Sequence, residues 1–84
     1  MTKFRAEIEV MPKKEILDPQ GKAVTGSMKN LGLTEIHNVR IGKHITLEIE
    51  AENTEVASAK VDQACKSLLA NLIMESYTFK IAEV

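Results

Sequence analysis

An α+β fold, with two helices on one face of a four-stranded antiparallel sheet, is what this sequence predicts. Three observations carry the prediction. Two stretches, residues 3–10 and 45–51, alternate apolar and polar side chains one for one, the period of a half-buried strand. Two others open with a helix-capping residue and carry apolar side chains three and four apart. The segments follow one another as strand, helix, strand, strand, helix, strand, and 84 residues suit one domain spanning residues 1–84.

In the first strand Phe4, Ala6, Ile8 and Val10 point one way, while Lys3, Arg5, Glu7 and Glu9 point the other. Pro12 ends it, because proline has no amide to give a ladder. Residues 13–17 connect to a helix that starts at Asp18-Pro19: aspartate accepts amide hydrogen bonds at a cap, and proline suits the first helical position. Val24, Met28 and Leu31 form its apolar stripe, and Gly32 follows as a left-handed C-terminal cap. Gly21 and Gly26 weaken this helix by about 1 kcal/mol each, which points to close backbone approach. Residues 36–41 read as the second strand and residues 45–51 as the third. A three-residue turn, Gly42-Lys43-His44, pairs Ile41 with Ile45 and Val39 with Leu47, keeping one face apolar. Asn53-Thr54-Glu55 opens the second helix, whose buried stripe is Ala57, Val61, Ala64, Cys65 and Leu68. The last strand, residues 74–81, puts Tyr77, Phe79 and Ile81 on one face. The order is that of the split βαβ, or ferredoxin-like, fold. The open sheet face would then be polar, holding Lys3, Arg5, Glu7, Glu9, Asn38, Arg40, Glu48, Glu50, Thr78 and Lys80.

Composition removes several functions. Net charge is −1, from 11 basic and 12 acidic side chains, whereas a nucleic-acid binder needs a basic excess to neutralise phosphates. One tyrosine, two phenylalanines and no tryptophan leave little to stack on bases. Cys65 stands alone, so an internal disulfide is impossible and a small buried residue is expected. No apolar run approaches the ~20 residues that span a bilayer, and residues 1–7 lack a signal peptide's apolar stretch; a cytoplasmic location is expected. His37 and His44 fall apart in the expected register, at a strand end and in a turn, so they form no shared metal site. No nucleophile, base and acid can be assembled.

Two constellations remain. Lys13 and Lys14 lead into Asp18, Pro19, Gln20 and Gly21, a basic loop beside a glycine-containing helix start that can receive an anion or a partner's carboxylate. Arg40, Gly42 and Lys43 form a turn with two cations at its tip. A four-stranded sheet also leaves two edges, which favours self-association.

Read in order, residues 13, 16–24, 31–32, 39–43, 65–71 and 75–77 resemble the PurS family, the small subunits of phosphoribosylformylglycinamidine synthase. The run Leu17-Asp18-Pro19-Gln20-Gly21 is the most specific part, and Leu68-Leu69-Ala70-Asn71 supports it, which adds Asn71 to the contact candidates. Leu72 stands where the family usually has proline, and Glu15-Ile16 where many members have Gly-Val. The resemblance implies a required, non-catalytic subunit of a ligase complex in de novo purine synthesis. That complex converts formylglycinamide ribonucleotide, glutamine and ATP to formylglycinamidine ribonucleotide, glutamate, ADP and phosphate. It implies a homodimer or tetramer that joins a glutaminase subunit to a synthetase subunit and supports ammonia transfer. No cofactor is expected on this chain; ATP and Mg are expected on the synthetase, and neither nucleic acid nor membrane as partner. The alternative is a stand-alone ferredoxin-like regulatory domain that binds a small ligand at a dimer interface.

Overall fold

The structure, a computed structural model, describes residues 1–15 and 18–84. Ile16 and Leu17 of the expected connecting loop lie outside the described residues. Three strands form one antiparallel sheet: β1 (Thr2–Pro12) in the middle, β2 (Lys43–Ala51) on one side and β3 (Glu75–Glu83) on the other. Ile8 lies opposite Ile45 on β2 and Phe79 on β3, so the alternating faces of all three strands agree, as the period demands. Phe4, Ala6, Ile8 and Val10 are fully buried along β1.

Helix α1 runs from Pro19 to Asn30 and α2 from Thr54 to Ala64. Each starts as expected. The Asp18 carboxylate accepts the Gly21 N–H at 2.9 Å, and the Asn53 side chain accepts the Val56 N–H at 2.9 Å. At the end of α1, Leu33 N–H donates to the Met28 carbonyl and Gly32 N–H to the Lys29 carbonyl, with Gly32 at φ 80°. These are the two bonds of a Schellman ending, and they need the left-handed residue that glycine tolerates.

Three expectations are corrected. First, among the described residues the sheet has three strands, not four. Residues 36–41 do not join it, because their amides are engaged elsewhere. Val39 N–H donates to the Thr25 hydroxyl and Ile41 N–H to the Asp18 carboxylate, both beside α1, and Asn38 takes a left-handed φ of 55°. The expected hairpin with Gly42-Lys43-His44 as its turn is therefore not formed. Lys43 and His44 belong to β2, and Asn38 and Arg40 are not on the sheet's polar face. Second, the helices do not share one face. α2 packs on the sheet over β1, while α1 has no comparable contact with the sheet or α2. The molecule is accordingly elongated, 52 × 27 × 14 Å, with a radius of gyration of 16.6 Å, against ~12 Å for a compact chain of this length. Third, Leu68 is not part of the α2 stripe. Residues Cys65–Leu69 form a π turn, in which Ala70 N–H donates to the Cys65 carbonyl. The wider turn rotates the stripe, so Leu69 and Ala70 reach the core while Leu68 is 82% exposed.

One helix is ~10–12 Å wide, and three strands at ~4.8 Å spacing need more than that. α2 therefore seals β1 and leaves the flanking rows Ile45, Leu47, Ile49 and Tyr77, Phe79, Ile81 half-buried. The opposite face of the sheet is charged, with Glu48 between Lys3 and Arg5 at 3.8 and 3.5 Å. His44 pairs with Glu9 across the strands at 2.5 Å, in place of the solvated turn expected for it. Burial in the α2 stripe pushes the Cys65 thiol pKa up, in keeping with a packing role.

Candidate functional site

The two constellations singled out in sequence meet in space. Asp18 makes the junction. One carboxylate oxygen caps α1 through Gly21 N–H; the other accepts Ile41 N–H at 3.0 Å, 23 residues further along. Those two backbone bonds, Gly21's first, hold the Asp18 carboxyl below the usual carboxylate range, and the Arg40 charge adds to them. Thr25 repeats the arrangement one turn on: its hydroxyl donates to the Gly21 carbonyl at 2.7 Å and accepts Val39 N–H at 3.1 Å. The returning chain thus lies directly on α1, and Gly21 is where it touches. A Cβ at position 21 would stand 2.2 Å from the Val39 carbonyl oxygen. Gly42 has the same role where the returning chain reaches β1: a Cβ there would meet the Val10 carbonyl oxygen at 2.2 Å. The Arg40 guanidinium donates to the Pro12 carbonyl, tying the returning chain to the end of β1.

Two concavities flank this junction. The first, of ≈ 370 Å³, is lined by Pro12, Asp18, Pro19, Gln20, Ile41, Gly42, Lys43, Asn71, Met74 and Glu75. It brings together six of the ten expected contact residues: Asp18, Pro19, Gln20, Gly42, Lys43 and Asn71. Its far wall is an Asn71 turn, in which the side chain accepts Ile73 N–H at 3.1 Å while Asn71 N–H donates to Glu75 at 2.8 Å. Glu75 also pairs with Lys43 at 3.7 Å, and Lys13 N–H donates to the Met74 carbonyl. Ile73, at the tip of this turn, is 83% exposed. The second concavity holds Lys14 and Arg40, with Asp18 shared between the two. Gly21 and Lys13 line neither: Gly21 is buried, and the Lys13 N–H is bonded to the Met74 carbonyl. Sequence reasoning missed Thr25, Met74 and Glu75. A threonine four residues after a helix-start glycine was the available signal for the first; an exposed apolar run at residues 72–74 was the signal for the others.

Chemically, the first concavity offers a neutralised lysine, an amide, a fixed carboxylate and an apolar rim. Among the described residues no group of three His, Cys, Asp or Glu side chains stands close enough to hold a metal ion, and no helix is long and apolar enough to cross a membrane. By fold, then, the chain is a small α+β domain whose polar groups gather around the joint at Asp18.

The comparisons with known proteins agree. The family described as PurS, phosphoribosylformylglycinamidine (FGAM) synthase, matches residues 5–83. The phosphoribosylformylglycinamidine synthase subunit PurS of Synechocystis is 40% identical over 78 residues, covering 93% of this chain and 78% of that protein. The Bacillus subtilis PurS structure superposes with a TM-score of 0.86 at 34% identity, covering 95% of this chain and 99% of that one. A chain in the structure of PurLQS from Thermotoga maritima has a TM-score of 0.86 at 33% identity and covers both chains completely. The chain belongs to the PurS family and is a subunit of the ligase phosphoribosylformylglycinamidine synthase.

Proposed function

We propose that this chain is the homo-oligomeric adaptor of its synthase, docking a glutaminase subunit against the synthetase subunit so that ammonia passes between them without escaping to water. The carrying observation is the α1 arm. Its apolar stripe is left only partly covered among the described residues: Val24 and Met28 are half-buried, Leu31 is 72% exposed, and α1 makes no substantial contact with the sheet or α2. Among the described residues β2 pairs only with β1, so its outer edge is open and its apolar row half-covered. An open edge and two half-covered apolar rows in one small chain complement each other in a second copy. In that reading the arm covers the partner's sheet, and the fourth-strand position expected from sequence is completed between copies.

The concavity at Asp18, Pro19, Gln20, Gly42, Lys43 and Asn71 then faces a partner subunit. ATP and Mg belong to the synthetase, and the complex works in the cytoplasm. The PurLQS assembly of Thermotoga maritima, which contains a chain of this fold, supports the reading. Gln20 and Ile73 are exposed beside the concavity and hold no other part of the fold by their side chains. In the reconstituted complex, Gln20→Ala with Ile73→Asp should lower glutamine-dependent turnover at least tenfold and leave ammonia-dependent turnover of the synthetase closer to normal. Unchanged glutamine-dependent turnover and unchanged complex mass in light scattering would remove the concavity from the docking surface.

A further inference from the structure

We infer that the second concavity, the groove between α1 and the returning chain, docks an acidic, extended segment of a partner subunit; this rests on the adaptor reading above. Lys22, Gly26 and Lys29 lie along α1 at i, i+4 and i+7, and Lys14 and Arg40 complete the groove, of ≈ 740 Å³. Among the described residues none of these four cations has an ion-pair partner. The groove's one acid is Asp18, and both its oxygens already accept backbone N–H groups. Four like charges gathered on a chain of net charge −1 repel one another, and an outside counter-charge relieves that.

Gly26 is the second, independent sign. It lies inside α1, where glycine weakens a helix relative to alanine, yet a Cβ there would meet nothing within 4 Å. Gly21 is required by the chain's own packing; Gly26 is not. Its bare backbone, between Lys22 and Lys29, lets another chain lie close. The spacing selects the class of ligand. Seven helical residues place Lys22 and Lys29 ~10 Å apart, a span that successive same-side carboxylates of an extended segment cover at ~7 Å intervals. A single phosphate needs donors converging on one point, and these cations are strung along a groove.

The test titrates the full-length chain against each isolated partner subunit of its own complex, by calorimetry over a salt series. Lys22→Glu with Lys29→Glu should weaken binding to one partner at least tenfold and flatten its salt dependence, while Lys22→Arg with Lys29→Arg keeps both. Gly26→Leu should weaken the same interaction without lowering the melting temperature. Should the reversed pair lower the melting temperature, Lys22→Gln with Lys29→Gln gives the same reading at smaller amplitude. Unchanged affinity in the charge-reversed chain overturns the groove and leaves the adaptor reading standing. Wild-type chain that binds neither subunit overturns both. Micromolar binding of ADP or inorganic phosphate by the free chain, lost in the charge-reversed variant, overturns the acidic segment in favour of a small anion.

Discussion

The three-stranded body and the α1 arm are held by opposite kinds of force. In the body, β1 is buried on one face from Phe4 to Val10 beneath α2, and apolar burial of this sort is the dominant favourable term in folding. The arm has one buried residue on α1, Gly21, and is fixed at its base by directed bonds from Asp18, Thr25 and Arg40. Directed bonds set a position without full apolar burial, and Val24 and Met28 on α1 are only half-buried. The chain thereby holds α1 away from the core of the sheet, with Leu31 72% exposed at its end.

The sharpest way to break this contrast is to cut each region where it is weakest. Ile8→Ala removes a fully buried side chain from the centre of the sheet and should cost about 3 kcal/mol, read from the midpoint of urea unfolding. Leu31→Ala, on the exposed arm, should change the unfolding of the isolated chain by no more than about 0.5 kcal/mol and appear instead as a weaker dimer in sedimentation. Equal costs at the two sites would mean the arm is packed like the body.

The two helix glycines sharpen the comparison within the arm itself. Gly21→Ala drives a methyl group into the Val39 carbonyl and should destabilise by about 1–3 kcal/mol, as overpacking does. The loss should fall first on hydrogen-exchange protection of the Val39 and Ile41 amides, with β1 amides protected as before. Gly26→Ala, facing open space, should stabilise the isolated chain by about 1 kcal/mol. The reverse order would show that the arm does not lie on α1 through Gly21.

Acid should open the same joint. The two backbone bonds depress the Asp18 pKa in the folded chain below its ordinary 3.8. The stabilisation they give is complete above the unfolded value and disappears as pH falls through the folded one. Amide exchange at Gly21 and Ile41 should therefore quicken below about pH 3.8, ahead of β1 exchange. In Asp18→Asn both amides should exchange fast at neutral pH, with little further change on acidification.

Sequence reading succeeded where a side-chain period decides the structure and failed where a distant contact does. The alternation in residues 3–10 and 45–51 fixes which face of β1 and β2 is inward whatever lies beside them, and Asp18-Pro19 and Gly32 place the ends of α1 from local chemistry alone. Residues 36–41 carry enough apolar side chains for a strand. Whether they pair depends on where α1 goes, and their amides are claimed by Asp18 and Thr25, side chains far back in the chain. The Leu68 error has a local origin instead, since the π turn at Cys65–Leu69 departs from the 3.6-residue period. For the site, the composition of two short segments was enough to select residues that meet around one joint. Their convergence, and the part played by Thr25, needed the path of the returning chain.

The body has one prominent directed tie of its own, and it gives the smallest and cleanest measurement. The Tyr77 hydroxyl donates to the Asp62 carboxylate at 2.5 Å, joining β3 to α2, and Lys66 pairs with the same carboxylate at 2.9 Å. The bond to Asp62 and the partial burial of the ring push the Tyr77 pKa up to about 12, from 10.0. Asp62 in turn is lowered, chiefly by the Tyr77 bond. Because the chain has a single tyrosine, ultraviolet titration reads this group alone. The folded chain should ionise near 12, and Asp62→Asn should bring the transition back toward 10. The tyrosine pKa is raised on folding, so its contribution to stability is whole below about pH 10 and declines as pH climbs from there toward 12. That window is well separated from the acid window of Asp18, so each tie can be released without the other. If alkaline release of Tyr77 also exposed the Val39 and Ile41 amides, α2 and the arm would be mechanically linked. If those amides stayed protected, the arm stands on its own base, as Asp18, Thr25 and Gly21 place it.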